Sequence, residues 1–139
     1  MVDQNCAYCM EGELVAKFGI KICELETSKV YLFKEQSHPG RCIVAHKKHV
    51  GDMNELTAEE RAAYFEDVAR VARAIMKAFN PDKVNYGAYG DTGHHLHFHI
   101  CPKYKDEYEW GGVFLMNPDK KYLTDEEYAD MIEKIKANL

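Results

Sequence analysis

Three histidines alternate with apolar residues in the C-terminal half of the chain, at positions His95, His97 and His99. In an extended strand, side chains two residues apart project from the same face, about 6.7 Å apart. The spacing therefore predicts a strand with the imidazoles on one face and the intervening Leu96 and Phe98 in the core. Imidazole suits acid–base, nucleophilic and metal chemistry near neutral pH, so this strand is the candidate site.

Two kinds of chemistry fit these histidines. Histidines at alternate strand positions can chelate zinc in a catalytic site that keeps an open coordination position. Alternatively, one imidazole can attack phosphorus and form a covalent intermediate, while its neighbours orient it and stabilise charge. The residue types alone leave both possibilities open.

A second candidate site lies near the N-terminus, where Cys6 and Cys9 form a Cys-x-x-Cys motif. The chain has five cysteines and begins without the basic and apolar regions of a signal peptide, so a disulfide framework is not expected. The motif is half of a zinc site, a redox pair or two incidental thiols, and by itself it leaves these roles open.

Hydrophobic patterning predicts the strands that surround these motifs. Four segments have the alternation or the β-branched and aromatic composition of strands, and a turn at 37–40 separates the first two. Hairpin-length connections favour an antiparallel α+β sheet over a parallel array. The predicted strands are 29–33, 41–45, 84–89 and 95–101.

Two capping boxes predict the helices. Thr57 and Glu60 open a long helix that ends at Asn80, because the following proline disfavours helical geometry in the residue before it. A second box, at Thr124 and Glu127, opens a C-terminal helix over 124–139. The long helix has an apolar face at helical spacing, formed by Tyr64, Val68, Val71, Ile75 and Phe79.

Length and composition restrict the class of protein. At 139 residues with 46% hydrophobic side chains, the chain is expected to form one globular domain. Its net charge of −5 argues against a general nucleic-acid binder. No apolar run approaches the roughly 20 residues of a membrane helix. We therefore expect a cytoplasmic protein that binds neither nucleic acid nor a membrane.

The run that starts at His95 has the form His-φ-His-φ-His-φ-φ, where φ is hydrophobic, and resembles the signature of the histidine triad (HIT) superfamily. Residues 39–49 are similar to the family segment Gly-His-φ-φ-φ-φ-Pro-Lys-x-His, and the resemblance runs from about Cys6 to Tyr104. It implies a single HIT-like α+β domain over 1–139, with an antiparallel sheet of about five strands, a long central helix and a C-terminal helix.

The resemblance also implies an activity. HIT proteins hydrolyse or transfer nucleotides, and their substrates are nucleoside monophosphate–X compounds such as phosphoramidates and dinucleoside polyphosphates. The family nucleophile maps to His97, which would form a nucleotidyl-histidine that water then hydrolyses. His99 would contact the non-bridging phosphate oxygens, and no organic cofactor is implied. Nucleotidyl transfer, phosphorolysis, or a nucleotide-binding interaction module with weak catalysis are the alternatives.

A structural zinc site is implied by relatives that carry a similar N-terminal motif. In those proteins the two cysteines join a histidine that maps to His49 and the first histidine of the triad, here His95. The implied ligands are therefore Cys6, Cys9, His49 and His95, with residues 1–10 as a zinc-binding arm. A closed tetrahedral shell leaves no position for an activated water, so this zinc would not be catalytic.

The resemblance also implies substrate contacts. Thr92 lies where the family has a leaving-group contact, while Asn85 and Asp91 compete as a further polar contact. Glu35 is the nearest candidate for the ribose, with a solvated loop residue as the alternative.

Other positions depart from the family pattern or carry no assigned role. Arg41 stands where a histidine is frequent, and His46 where a proline is frequent. Lys103, like three other lysines near the motifs, is interpreted as solubilising.

The resemblance further implies a homodimer that pairs through the central helix and a sheet edge.

Overall fold

The computed structural model describes residues 3–139 and contains a five-stranded sheet with every neighbouring pair antiparallel. The strand order is β1-β2-β3-β5-β4, so β1 and β4 form the two edges. This confirms the predicted α+β fold. In chain order the elements are α1 Ala7–Met10, α2 Gly12–Ala16, β1 Gly19–Glu24, β2 Ser28–Phe33, β3 Cys42–His46, a 3₁₀ turn Met53–Glu55, α3 Ala58–Phe79, β4 Lys83–Gly87, β5 His97–Lys103 and α4 Asp125–Ala137.

Both predicted capping boxes are present and define where the helices begin. The Thr57 hydroxyl accepts from the Glu60 amide at 3.1 Å, and the Glu60 carboxylate accepts from the Thr57 amide at 2.9 Å. Helix α3 ends at Asn80, which has the left-handed φ of 50°. Thr124 and Glu127 form the same reciprocal pair at α4. The predicted stripe on α3 packs on the sheet as the main core.

The two faces of the sheet pack against different elements. One face carries α3 and α4 and forms the large hydrophobic core, which includes Leu96 and Ile100. The other face carries a smaller cluster in which α1 and α2 pack on the strands, with Tyr8 at its centre. Because strand side chains alternate, the histidines of β5 lie on this second face.

Several elements differ from the predictions. Strand β1 and the short helices α1 and α2 were not predicted, since those short segments show no clear period. Strand β5 begins at His97 rather than His95, because the His95 amide donates to the Gly93 carbonyl in a tight turn at 2.7 Å. It also continues through Pro102, which pairs with Val84 of β4.

The turn before β3 depends on Gly40. Its φ is 96°, a region that side chains rarely adopt, and a Cβ there would lie 2.7 Å from the Phe79 ring. The Gly40 amide also donates to the Gln36 side chain at 2.9 Å. The turn therefore directs the next residue, Arg41, into the interior.

Within residues 3–139, none of the helices has both the length and the apolar character needed to cross a membrane.

Candidate functional site

A cavity of about 840 Å³ lies on the sheet face that carries the histidines. Its floor includes His97 and His99 of β5. The N-terminal arm, the loop before β5 and the loop after it form the walls. Aromatic side chains contribute much of the lining, including Phe18, Phe33 and Phe114. The cavity thus combines an apolar wall with converging imidazoles, which is the usual composition of a small-molecule site.

His97 is held in one tautomer. Its Nδ1 lies 2.6 Å from the backbone carbonyl of His95, so Nδ1 carries the proton and donates it. The lone pair of Nε2 is therefore free. Burial lowers the pKa of His97, which favours the neutral, nucleophilic imidazole. The Tyr8 ring packs against the imidazole with centroids 4.9 Å apart and limits its rotation.

His99 lies next to His97, with ring centroids 5.3 Å apart. Its Nδ1 is 3.0 Å from Nη2 of Arg41. Burial, and then the positive charge of Arg41, lower the pKa of His99 to about 2. The ring is therefore neutral over the whole physiological range, with Nδ1 as acceptor and Nε2 as donor.

Arg41 is the site residue that sequence reasoning missed. It is fully buried, and its guanidinium lies between the rings of Phe33 and Phe114. Phe114 belongs to the loop after β5, which has no periodic pattern, so the sequence contained no signal of this contact. The departure from histidine at position 41 marked the residue as unusual but did not indicate what it contacts.

The four predicted metal ligands lie together. Cys6, Cys9, His49 and His95 each present one donor atom, and these atoms all lie within 4.8 Å of one another. The two Nδ1 atoms are 3.1 Å apart, and three sulfur–nitrogen distances are 3.3, 3.3 and 3.6 Å. Donors of a tetrahedral zinc site are about 3.3 to 3.8 Å apart, given Zn–N of about 2.0 Å and Zn–S of about 2.3 Å. The cluster therefore matches a tetrahedral metal ion in donor type, and these four donor–donor distances are close to the tetrahedral range.

Neighbouring groups orient the two imidazoles of this cluster. His95 Nε2 donates to the His46 carbonyl at 2.6 Å, so its Nδ1 lone pair faces the cysteines. His49 directs its Nε2 towards Asp3, 3.8 Å away. Burial and the adjacent imidazoles lower the pKa of His95 to about 4, which keeps this ligand neutral.

The structure brings some of the predicted substrate residues to the cavity but not all. Asp91 and Thr92 are exposed on the loop before β5 and line it. Asn85 does not line the cavity. On β4 it pairs with Cys101, which lies two residues beyond His99 on β5, so the strand register places Asn85 farther along the sheet than the cavity floor.

Glu35 also lines the cavity, but it is 2% exposed and is therefore not a solvated loop residue. Its Oε2 accepts from the Ser37 hydroxyl and from the amides of Lys120 and Lys121, while Oε1 accepts only from the Ser37 amide. Although burial opposes ionisation, these hydrogen bonds hold the pKa of Glu35 below its usual value.

The interpretation of Lys103 as a solubilising surface residue is wrong. It is 2% exposed, and its ammonium donates to the carbonyls of Glu109 and Gly112 at 2.9 and 2.7 Å. These bonds fasten the loop that contributes Phe114 to the cavity, so Lys103 supports the site from outside it.

Comparison with known families and proteins identifies relatives of this arrangement. The model of the HIT domain family matches residues 19–106. The chain is 29% identical over 123 residues to "Protein hit" of Bacillus subtilis, covering 84% of this chain and 83% of that protein. It is 28% identical over 116 residues to "Adenosine 5'-monophosphoramidase hnt1" of Schizosaccharomyces pombe, covering 77% and 80%. A "Bis(5'-adenosyl)-triphosphatase" of Dictyostelium discoideum is 29% identical over 51% of each chain.

Solved structures share the fold. A histidine triad protein from Sinorhizobium meliloti superposes with a TM-score of 0.84 at 24% identity, covering 92% of this chain and 95% of that one. A Zn-bound histidine triad family protein from Mycobacterium smegmatis gives a TM-score of 0.68 at 22% identity, covering 95% and 93%.

The low pKa of His99 predicts an acid-dependent loss of stability. Unfolded histidine titrates near about 6.5, so as the pH falls the unfolded state takes up this proton while folded His99 does not. The free energy of unfolding should therefore decrease below pH of about 6.5, with a contribution from His99 of about 1.4 kcal/mol per pH unit. The free energy of unfolding, measured by urea denaturation between pH 6 and 4, should decrease less steeply with falling pH in His99→Asn than in wild type. The difference in slope should be about 1.4 kcal/mol per pH unit. Identical slopes in the two proteins would contradict the prediction.

Proposed function

The chain belongs to the HIT domain family, and from this membership we propose that it is a nucleotide hydrolase in which His97 is the nucleophile. Its substrates are nucleoside monophosphate–X compounds, cleaved at the α-phosphate. The observation that carries this proposal is the hydrogen bond of 2.6 Å from His97 Nδ1 to the His95 carbonyl. It leaves the lone pair of Nε2 free on an imidazole that forms part of the cavity floor.

The reaction has two displacement steps. The Nε2 lone pair of His97 forms a bond to the α-phosphorus, the bond from phosphorus to X breaks, and X leaves with that electron pair and takes up a proton. Water then attacks the phosphorus, the phosphorus–nitrogen bond breaks, and its electron pair returns to Nε2 while the water loses a proton. The Nε2–H of His99 donates to the non-bridging oxygens as charge develops on them.

Adenosine nucleotides are the substrate class we propose. The Schizosaccharomyces pombe relative is named an adenosine 5'-monophosphoramidase, and that of Dictyostelium discoideum a bis(5'-adenosyl)-triphosphatase. The apolar wall formed by Phe18 and Phe33 suits a flat base. We assign Thr92 to the leaving group and Asp91 to a further polar contact with the substrate. Glu35 Oε1, which keeps a free acceptor position, is assigned to a ribose hydroxyl.

The nucleophile assignment predicts the effect of His97→Ala. Because the change removes the imidazole that forms the covalent intermediate in this proposal, turnover of adenosine 5'-phosphoramidate and diadenosine triphosphate should fall by at least on the order of 10³-fold. Lys134→Ala, an exposed change on α4, is the matched control and should retain activity. Intact-mass analysis of rapidly quenched wild type should detect a nucleotidyl adduct. Unchanged turnover in His97→Ala would overturn the proposal, and nucleotide binding without an adduct or turnover would favour an interaction module.

We further propose that the cluster of Cys6, Cys9, His49 and His95 holds a structural zinc ion. Thiolate and imidazole donors suit zinc, and the Mycobacterium smegmatis structure of the same fold is described as Zn-bound. All four protein ligands would saturate a tetrahedral ion, so the ion supplies cross-linking rather than reaction chemistry. The ion would link the N-terminal arm, whose Tyr8 packs on His97, to His95, whose carbonyl accepts from His97 Nδ1.

The zinc assignment predicts metal content variant by variant. Cys9→Ser and His95→Ala should lose zinc on dialysis, because each removes a ligand, whereas His97→Ala should retain it. Cys23→Ser is the matched control, since Cys23 is a half-buried thiol outside the cluster. Elemental analysis by mass spectrometry measures the ratio of zinc to protein. Equal zinc loss in His95→Ala and His97→Ala would favour a metal bound by the triad itself.

A homodimer is the assembly we propose, formed along β4. This strand is a sheet edge, and Tyr86 on it is 51% exposed. Phe65 and Met76 lie on one side of α3 at 38% and 50% exposure. The Phe65 ring packs on Phe98 of β5, the strand next to β4, so this side of the helix borders the β4 edge. An unpaired strand edge beside exposed apolar side chains is the kind of surface that a second copy covers.

The dimer proposal predicts a solution mass of twice the 16.0 kDa of one chain by size-exclusion chromatography with light scattering. The double change Met76→Glu and Tyr86→Glu should yield monomers, because it places like charges in the interface. Lys134→Glu, on exposed α4 away from this surface, should remain dimeric. A monomeric wild type would refute the proposal.

A further inference from the structure

Arg41 is a buried cation that forms no direct ion pair with a carboxylate in residues 3–139. It is 0% exposed, and its guanidinium carbon lies 4.1 Å from the Phe33 ring centroid and 4.8 Å from that of Phe114. Among the described residues no carboxylate forms an ion pair with it within 4.0 Å, and Glu35 and Glu109 act on its charge only from farther away. Its Nε is buried without a hydrogen-bond partner. Buried charges are normally paired, so this arrangement calls for a functional explanation.

The remaining guanidinium donors contact two carbonyls, the Met116 sulfur and one histidine. Nη1 donates to the Leu115 carbonyl at 3.1 Å, and Nη2 donates to the Met116 carbonyl at 2.8 Å. Nη2 also donates to Nδ1 of His99 at 3.0 Å. The carbonyl dipoles and aromatic faces stabilise the cation in part, but they do not neutralise its charge.

The bond to Arg41 determines how His99 is protonated. A guanidinium has no acceptor and does not lose its proton in proteins, so Nδ1 of His99 must be the acceptor. The single proton of the neutral ring is then on Nε2. His99 lines the cavity, and in the described structure Nε2 has no hydrogen-bond partner within the protein. The charged or titratable groups that face this ring are Arg41 and His97.

We infer that Arg41 is a positioning residue for the phosphoryl group: it holds His99 as an Nε2–H donor and places a permanent positive charge behind it. The substrate phosphate supplies a negative charge where no described carboxylate pairs directly with Arg41. The inference rests on the proposed nucleotide hydrolysis. It also gives a physical meaning to the departure at position 41, since a histidine there would be a titratable group, whereas arginine stays charged.

Two variants separate charge from hydrogen bonding. Arg41→Met removes the charge and all donors at similar length, while Arg41→Lys keeps the charge but loses the planar fork. Circular dichroism and thermal melting establish that each variant is folded. If Arg41→Met fails to fold, the comparison of Arg41→Lys with wild type carries the test.

The first measurement is the protonation of His99, which does not depend on catalysis. In 15N-histidine NMR of the zinc-loaded protein, with His99 assigned by His99→Asn, wild type should show a neutral Nε2–H ring from pH 7 to 5. In Arg41→Met the ring should take up a proton within this range or show both tautomers. In Arg41→Lys the His99 ring should stay neutral, because the positive charge is kept. It should show mixed tautomers, because lysine lacks the guanidinium fork that donates to Nδ1 of His99. Wild-type His99 spectra in both variants would overturn the inference.

The second measurement is nucleotide binding and turnover. Titration with AMP should show about tenfold weaker binding in Arg41→Met, with kcat for adenosine 5'-phosphoramidate about 100-fold lower, because the charge acts most strongly on the developing transition-state charge. Arg41→Lys should lose less than fivefold in AMP affinity. AMP affinity and kcat equal to wild type in a folded Arg41→Met would refute the inference. Failure of the His97→Ala test would instead refute the hydrolase assignment and leave the NMR result standing.

Discussion

The backbone of His95 is the structural feature on which the site depends. Its carbonyl accepts the Nδ1 proton of His97 at 2.6 Å, while its own ring donates to the His46 carbonyl and directs Nδ1 to the cysteines. The residue leaves the regular strand in a tight turn, which allows its side chain and its carbonyl to serve different partners. A displacement of His95 would therefore affect both the cysteine–histidine cluster and the orientation of the His97 ring.

The three histidines of the motif acquire distinct roles from what their nitrogens contact. His95 has a carbonyl on one nitrogen and the cysteine cluster on the other. His97 donates from Nδ1 to the His95 carbonyl and lies at the cavity. His99 accepts at Nδ1 from the Arg41 guanidinium. All are buried, and burial lowers the pKa of each, so the site works with neutral rings. The proposed roles of ligand, nucleophile and donor thus fall on identical side chains because their hydrogen-bond partners differ.

Segments far apart in the chain complete the cavity. The N-terminal arm contributes Tyr8, which packs on His97, and the loop after β5 contributes Phe114 and the carbonyls that receive Arg41. Lys103 fastens that loop by two hydrogen bonds to its backbone. The sheet therefore supplies the reactive groups, while the arm and the loop enclose them and set their electrostatics.

Much of this followed from the sequence alone, because it depends on local rules. The capping boxes at Thr57 and Thr124, the apolar stripe of α3 and the alternation in β5 were all predictable, since period and capping involve residues close in the chain. The resemblance to a family added the cysteine and histidine cluster, and the structure brings those four residues together. What only the tertiary structure decided is long-range: the Arg41–His99 contact, the burial of Lys103 and Glu35, and the position of Asn85 away from the cavity. These depend on the path of an aperiodic loop and on strand register, which arise from packing between distant segments rather than from any local pattern.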